Sequence, residues 1–411
     1  MERKSPGFIL AWSTICLFLV SFSFAAYGIF VPAFLQEFNW SSADSALPFS
    51  LAMFVWGAMQ PLSGALADAR GTRPVILMGI ALMALGFVVV GLSQELWQMA
   101  LGFGLLIGTA QSSCGTMQFS LLISKWFAGN KRGSAVGLLQ SAPPGSPMLL
   151  TPLMFYVIVN YGWRYGAIGM GLILLVVAFP LAYFKVHDPR AEVGIQAAAQ
   201  GQHGNWRVAI GMLRLPALRN LFVSRFACGL SFLLIPHLAT AAMASGLSAA
   251  QGALAVTLYG ASGAIGSYTG GVLSDRFGRV PTLVGTYVVR GIGVLVLALF
   301  TMNNPVLFFL AVMMASGPVF ATVSINNVQT FELLRGRNVG LVLGLGFVLH
   351  QIAAAVGPYL SGMVFDWTGT YRISFLVLGV VMLLATIPAA YTGERKPTAP
   401  ARVDGRTVEV S

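Results

Sequence analysis

Apolar residues in this chain do not form stripes at a helical or a strand period. They form long unbroken runs, separated by short polar punctuation. The runs cover 8–30, 45–67, 75–94, 97–124, 134–160, 163–184, 218–245, 249–273, 281–302, 305–329, 339–365 and 368–391. A helix needs about 20 mostly apolar residues to cross a hydrocarbon core of roughly 30 Å, so each run is long enough to span. Lipid offers backbone amides no outside partner, so every run predicts an α-helix. Twenty prolines and 47 glycines would ruin soluble helices, but neighbouring helices in a membrane bundle re-satisfy the freed backbone groups. "SAPPGSP" (141–147) places three prolines in the fifth helix and predicts a bend there.

The pattern repeats. "GALADARGTRPV" (64–75) recurs as "GVLSDRFGRVPT" (271–282), and "RGSAVG" (132–137) as "RGRNVG" (335–340). "YGWRYG" (161–166) and "TGTYRI" (368–373) precede the last helix of each half. Three anchors in one order predict two parallel repeats of six helices, the organisation of two-fold transporters. The chain therefore divides into 1–184, a six-helix half; 185–217, a polar linker; 218–391, a second six-helix half; and 392–411, a disordered tail.

Composition and charge then fix the environment. Only 9% of the 411 residues are charged and 56% are hydrophobic, against roughly 25% charged in soluble domains. The net charge is +11, but the basic residues sit in loops between apolar runs, which argues against nucleic-acid binding. Alternate loops divide them unevenly. One side carries Lys and Arg from Arg3 to Arg406, twenty in all, and the other only Arg164 and Arg372. This bias predicts cytoplasmic termini and a multi-pass protein of the cell inner membrane. Cys16, Cys114 and Cys228 all fall within spans and supply neither a disulfide framework nor a metal site. The first run is read as a retained helix, since it is too long for a signal-peptide core.

The paired loops "GALADARGTRP" and "GVLSDRFGR" resemble the signature of the major facilitator superfamily between helices 2 and 3 and its copy between helices 8 and 9. "VPAFLQEFNWSSADSALPFSLAMFVWGAMQPLSG", "KWFAGNKRGSAVGL", "GWRYG" and "HQIAAAVGPYLSGMVFDWTGTY" resemble the bacterial monocarboxylate porter and oxalate–formate exchanger group. The resemblance covers essentially the whole chain. It implies an all-α membrane protein of twelve transmembrane helices in two pseudo-symmetric halves, working by alternating access around a central site. It also implies that Asp68, Arg70, Arg73, Asp275, Arg276 and Arg279 form a gating latch that does not touch substrate.

An ionisable residue inside the membrane is a functional candidate by default. No Asp or Glu lies in the middle of a run, which leaves Arg225, His237, Arg290 and His350. Arg290, about nine residues into helix 9, is roughly 14 Å deep. His350 can change charge near neutral pH, which makes it the candidate for a coupled proton. Tyr27, Gln111, Ser112, Gln140, Tyr259, Ser262 and Gln351 lie on the presumed cavity helices, where ligand contact and interhelical hydrogen bonding are both open. Glycines 260, 263 and 266 indicate close helix packing rather than a nucleotide loop, since no strand precedes them. One feature departs from the resemblance. Those porters carry a carboxylate-binding arginine on helix 8, and here "GAIGSYTGG" has Ser267 and no charge.

The expected function is secondary active transport of a small organic anion, a mono- or dicarboxylate, proton-coupled or by exchange. The alternative is a neutral or aromatic metabolite, vitamin or drug; a transport-like sensor is more distant. No cofactor, metal or nucleic acid is expected, no catalytic constellation is found, and the protein should act as a monomer in contact with lipid.

Overall fold

In the computed structural model the described residues are 5–127, 131–189, 211, 215–300, 304–334, 339–393, 402–403 and 406–407. The side chains of Asp68 and of residues 131–134, 331, 339–341 and those beyond 393 are outside this description. So are most of the linker and tail expected at 185–217 and 392–411; in the tail, Arg402–Val403 pairs antiparallel with Arg406–Thr407.

Among the described residues twelve long helical rods follow in order. They are α1 (Pro6–Phe38), α2 (Ser42–Arg70), α3 (Thr72–Leu92), α4 (96–126), α5 (131–161) and α6 (Trp163–Lys185). Then come α7 (Pro216–Ala244), α8 (Ala249–Phe277), α9 (Arg279–Leu299), α10 (Pro305–Leu334), α11 (Val339–Thr368) and α12 (Arg372–Ala390). Among the described residues ten are long and apolar enough to span by length and composition alone. The other two have local reasons. In α4 a π-helical stretch at Ala100–Ile107 and an extended Gly115 interrupt the rod. The 29 residues of α8 are diluted by glycine, serine and threonine.

The bundle's exterior carries exposed Leu62, Leu149, Val176, Ile265 and Tyr268. Apolar surface on this scale suits lipid, not water. The core instead holds small and aromatic residues where rods cross. A Cβ on Gly28 would come within 2.3 Å of the Ile235 carbonyl oxygen, and one on Gly266 within 1.8 Å of that of Gly317. Such contacts replace the missing hydrophobic drive between helices in lipid. Gly260 likewise seats against Pro147 and Met148, as expected for close packing.

The repeat is visible in backbone geometry. Gly71 and Gly278, at φ 91° and 93°, end α2 and α8 and start α3 and α9. Gly162 and Gly369 hold positive φ at the matching corners before α6 and α12. The α2–α3 and α8–α9 corners define what is called here the basic end of the bundle; the opposite end is the far end.

The halves meet through α1 with α7, α2 with α11 and α5 with α8. The expected bend in α5 is a break. Gln140 and Ser141 form a turn, and the helix restarts at Ala142 with Pro143 in its first turn. Proline is tolerated there because its missing N–H would have had no intrahelical partner.

Candidate functional site

Between the halves lies a cavity of about 440 Å³, within the range of small-molecule sites. Phe24 of α1, Trp56 of α2, Gln111 of α4 and Gln140 of α5 line it from the first half. The second half contributes Arg225 and Phe232 of α7, Tyr259 of α8, Asn327 of α10, and Phe347, His350 and Gln351 of α11. Much of the wall is aromatic. Phe24 stacks on Trp56 at 5.4 Å, and Phe347 meets the Trp56 ring edge-on at 5.3 Å.

Arg225 stands apart chemically. It is buried, and its Nη2 donates to Asn327 Oδ1 at 2.8 Å, while Nη1 is buried without a partner. Among the described residues no carboxylate forms an ion pair with it. A guanidinium cannot shed its proton, and an unpaired buried charge is strongly unfavourable. An anion in the cavity would supply the missing partner. His350 Nδ1 donates to the Arg225 carbonyl oxygen at 3.2 Å, which ties α11 to α7 beside that arginine.

The remaining polar lining is mostly engaged. Gln111 Nε2 donates to Ser23 Oγ at 2.7 Å, and Gln140 Nε2 to Ser120 Oγ at 3.3 Å. Gln351 Nε2 donates to the Met53 carbonyl at 3.4 Å, and its Oε1 is buried without a partner. Two expected site residues lie outside the lining. Tyr27 is fully buried and donates to the Ser45 carbonyl oxygen at 2.6 Å, a strut between α1 and α2. Arg290 is also fully buried, facing Cys228, Ser231 and Thr322. Ser112 and Ser262 make helix-to-helix hydroxyl contacts, with Ser63 and Ser316 respectively, each at 2.6 Å.

At the far end the halves are bonded together. Asp366, in the last turn of α11, accepts the backbone N–H groups of Ser42 at 2.6 Å and Ala43 at 2.9 Å. These are orphan donors of the first turn of α2, and the carboxylate also faces that helix's positive end. Beside them the Tyr371 hydroxyl meets Ser42 Oγ at 2.9 Å, Thr240 Oγ1 at 3.1 Å and His237 Nδ1 at 3.2 Å. His237 Nε2 lies 2.8 Å from the Pro358 carbonyl oxygen. So His237 belongs to the far-end closure and not to the cavity.

At the basic end, Asp275 pairs with Arg279 at 2.6 Å, and Arg279 reaches Glu332 of α10 at 3.4 Å. Arg276 lies over the Phe277 ring. In the first half Arg70 is exposed, and Arg73 lies over Tyr183 and donates to its carbonyl oxygen. The carboxylate that caps α3 is Asp188, accepting from Thr72 N at 3.2 Å and Arg73 N at 2.8 Å. Asn327, Asp366, Tyr371, Asp188 and Glu332 were not singled out in the sequence. The sole signal for Asp366 was its place near the end of a span.

Comparison with known proteins agrees with this architecture. The family model described as "Major Facilitator Superfamily" matches residues 13–241 and 220–409. The chain is 28% identical to monocarboxylate transporter 11 of Mus musculus over 376 residues, covering 87% of this chain and 80% of that protein. It is 23% identical to an uncharacterized MFS-type transporter, YcxA, of Bacillus subtilis (strain 168), covering 88% of this chain and 89% of that one. The crystal structure of a D-xylose–proton symporter superposes with a TM-score of 0.74 at 16% identity, covering 98% of this chain and 100% of that one, a likeness of fold alone.

Proposed function

Since this chain belongs to the major facilitator superfamily and is a multi-pass membrane transporter, we propose that it carries a small organic monoanion, bound by Arg225 in the central cavity. The observation that supports this reading is the unpartnered, buried Nη1 of Arg225 in the cavity wall. One unpaired positive charge calls for one negative charge, so a monocarboxylate fits better than a dicarboxylate. The aromatic wall around Trp56 takes the apolar body, and Gln351 Oε1 offers an acceptor to a substrate hydroxyl. Relatives named monocarboxylate transporters support the same reading.

The basic end is assigned to the cytoplasm by the excess of Lys and Arg there. With the far end bonded shut, the cavity belongs to the inward-facing half of an alternating-access cycle, proton-coupled or by exchange. The latch reading of the basic end keeps Arg70, Arg73, Asp275, Arg276 and Arg279 with Asp68, and adds Asp188 and Glu332. The protein acts as a monomer in the inner membrane.

The test is counterflow in proteoliposomes with labelled lactate, pyruvate and benzoate. Arg225→Ala abolishes exchange, and Arg225→Lys retains part of it. Exchange by Arg225→Ala at the wild-type rate refutes the anion site. A neutral aromatic substrate is the second reading, favoured by the stacked Phe24–Trp56 pair and the absence of charge along residues 249–273 of α8.

A further inference from the structure

A second hollow, of about 760 Å³, lies on the outer face of the second half between α8, α9 and α10. Exposed Ile265, Leu273 and Phe277 of α8, Val289 of α9 and Leu310 of α10 form its rims. At Gly285 of α9 an added Cβ would meet no atom within 4 Å, so the hollow is open there down to the backbone. Along α8 it runs from Ser262 to Phe277, roughly 22 Å at about 1.5 Å per residue. The hydrocarbon core is roughly 30 Å thick, so a groove of this length that starts at the basic end passes the midplane.

The groove wall offers little to a polar ligand. No charged residue lines it, and its four hydroxyl side chains are already bonded within the protein. Ser262 meets Ser316 Oγ at 2.6 Å, and Thr269 donates to the Ile265 carbonyl oxygen at 3.0 Å. Thr282 and Thr286 donate to the carbonyl oxygens of Gly278 and Leu283, at 2.8 and 2.6 Å. Such a wall suits a hydrocarbon chain and not the solute of the central cavity.

Charge enters at the basic-end mouth. Successive helix residues turn by about 100°, so Arg276 falls on the same face of α8 as Ile265, Thr269 and Leu273. It is exposed, and its guanidinium lies 5.5 Å from the centroid of the Phe277 ring, itself part of the rim. Asp275 and Glu332 both pair with Arg279, at 2.6 and 3.4 Å. Among the described residues no carboxylate pairs with Arg276. Lipid tails are as apolar as the groove wall, so a chain gains no hydrophobic drive by entering. Retention of one particular lipid then rests on shape and on the headgroup. A guanidinium binds a phosphate through paired N–H donors, and Arg276 has those donors free of any carboxylate. A two-fold dimer through this face would instead set two Arg276 side chains at the same depth, with like charges opposed.

We propose that this groove binds one anionic phospholipid of the leaflet at the basic end, with its phosphate on Arg276 and one acyl chain lying along α8 toward Leu310. The site is separate from the central cavity and does not depend on what is transported there.

The test uses full-length protein purified in mild detergent. Bound lipid is counted by native mass spectrometry during titration with phosphatidylglycerol, beside the melting temperature. Wild type should retain one phosphatidylglycerol in preference to phosphatidylethanolamine, whose ammonium offsets its phosphate. Dioleoylglycerol, which lacks the phosphate, and glycerol phosphate, which lacks the chains, should each fail to raise the melting temperature where phosphatidylglycerol does. Arg276→Gln should weaken phosphatidylglycerol about fivefold, the effect of one arginine beside an anionic lipid. Gly285→Leu puts a branched side chain into the open groove; it should melt near wild type without lipid and lose the bound phosphatidylglycerol. Binding at wild-type strength in either variant overturns the proposal: in Arg276→Gln it removes the phosphate contact, and in Gly285→Leu it leaves only headgroup adsorption. Stabilisation by glycerol phosphate equal to that by phosphatidylglycerol, or equal retention of phosphatidylethanolamine, overturns it too. A dimer of wild type that Gly285→Leu dissociates would give the groove to a second copy of the chain and overturn it likewise.

Discussion

Replacing Asp366 with alanine should open the far end. The carboxylate accepts two backbone N–H groups across the interface, from Ser42 at 2.6 Å and Ala43 at 2.9 Å, and faces the start of α2. A hydrogen bond to a charged group contributes about 1.5–3 kcal/mol, and a charge at a helix terminus about 0.3–1 kcal/mol. Asp366 is exposed, so water competes for it and the sum must be discounted. A net effect of about 1–2 kcal/mol remains, and at about 1.4 kcal/mol per tenfold it shifts the equilibrium between far-end-closed and far-end-open forms by about 5- to 30-fold. The Tyr371 hydroxyl contact to Ser42, which also crosses between the halves, survives, so closure is weakened and not abolished. Spin labels on Gln94 and Ser248, both exposed at the far end, report the separation of the halves by pulsed electron resonance. The three native cysteines are buried, so labelling goes to the introduced ones. Asp366→Ala should move population to the longer distance, and Asp366→Asn should fall between. A distance distribution in Asp366→Ala identical to that of wild type refutes the latch.

Other expectations follow from separate contacts. Cysteine at Ser248 should react with an impermeant maleimide from outside intact cells, and cysteine at Ala69 should not; the opposite pattern would invert the topology. Gly266→Ala puts a methyl group where the Gly317 carbonyl oxygen lies 1.8 Å away, an overpacking that costs about 1–3 kcal/mol and lowers the melting temperature of the purified protein. An unchanged melting temperature would show that α8 and α10 part freely. Asp68→Asn should slow transport while leaving ligand affinity within a few fold, because a ligand-independent shift acts only through the competent fraction. Complete loss of binding in the folded variant would place Asp68 in the site instead.

The helical architecture was legible because lipid enforces it. Length and apolarity decide ten of the spans among the described residues, and the paired glycine corners mark the repeat. α4 is the instructive exception: its apolar run predicts one rod, whereas a π-helical stretch and Gly115 break it, and helix register is not written in apolarity. Arg225, Gln111, Gln140, Tyr259, His350 and Gln351 were legible as cavity residues because a polar group inside a span needs a reason. Depth alone did not separate Arg225 from Arg290. Both are buried, and only the rotation of α7 and α9 about their axes decides which one faces the cavity. Asp366 and Asp188 went unrecognised because their partners are backbone amides 324 and 116 residues away. No local motif marks a carboxylate whose function is to cap a distant helix.

The monoanion site is tested most directly by ligand stabilisation of purified protein. A ligand of the folded state at 100 times its Kd adds about 2.7 kcal/mol. Monocarboxylates should raise the melting temperature of wild type in proportion to log concentration, and the corresponding amides should not. Arg225→Gln should lose the carboxylate response while melting near wild type without ligand. Equal stabilisation of Arg225→Gln and wild type by a monocarboxylate, or stabilisation of wild type by the amides alone, would contradict an anion bound at Arg225.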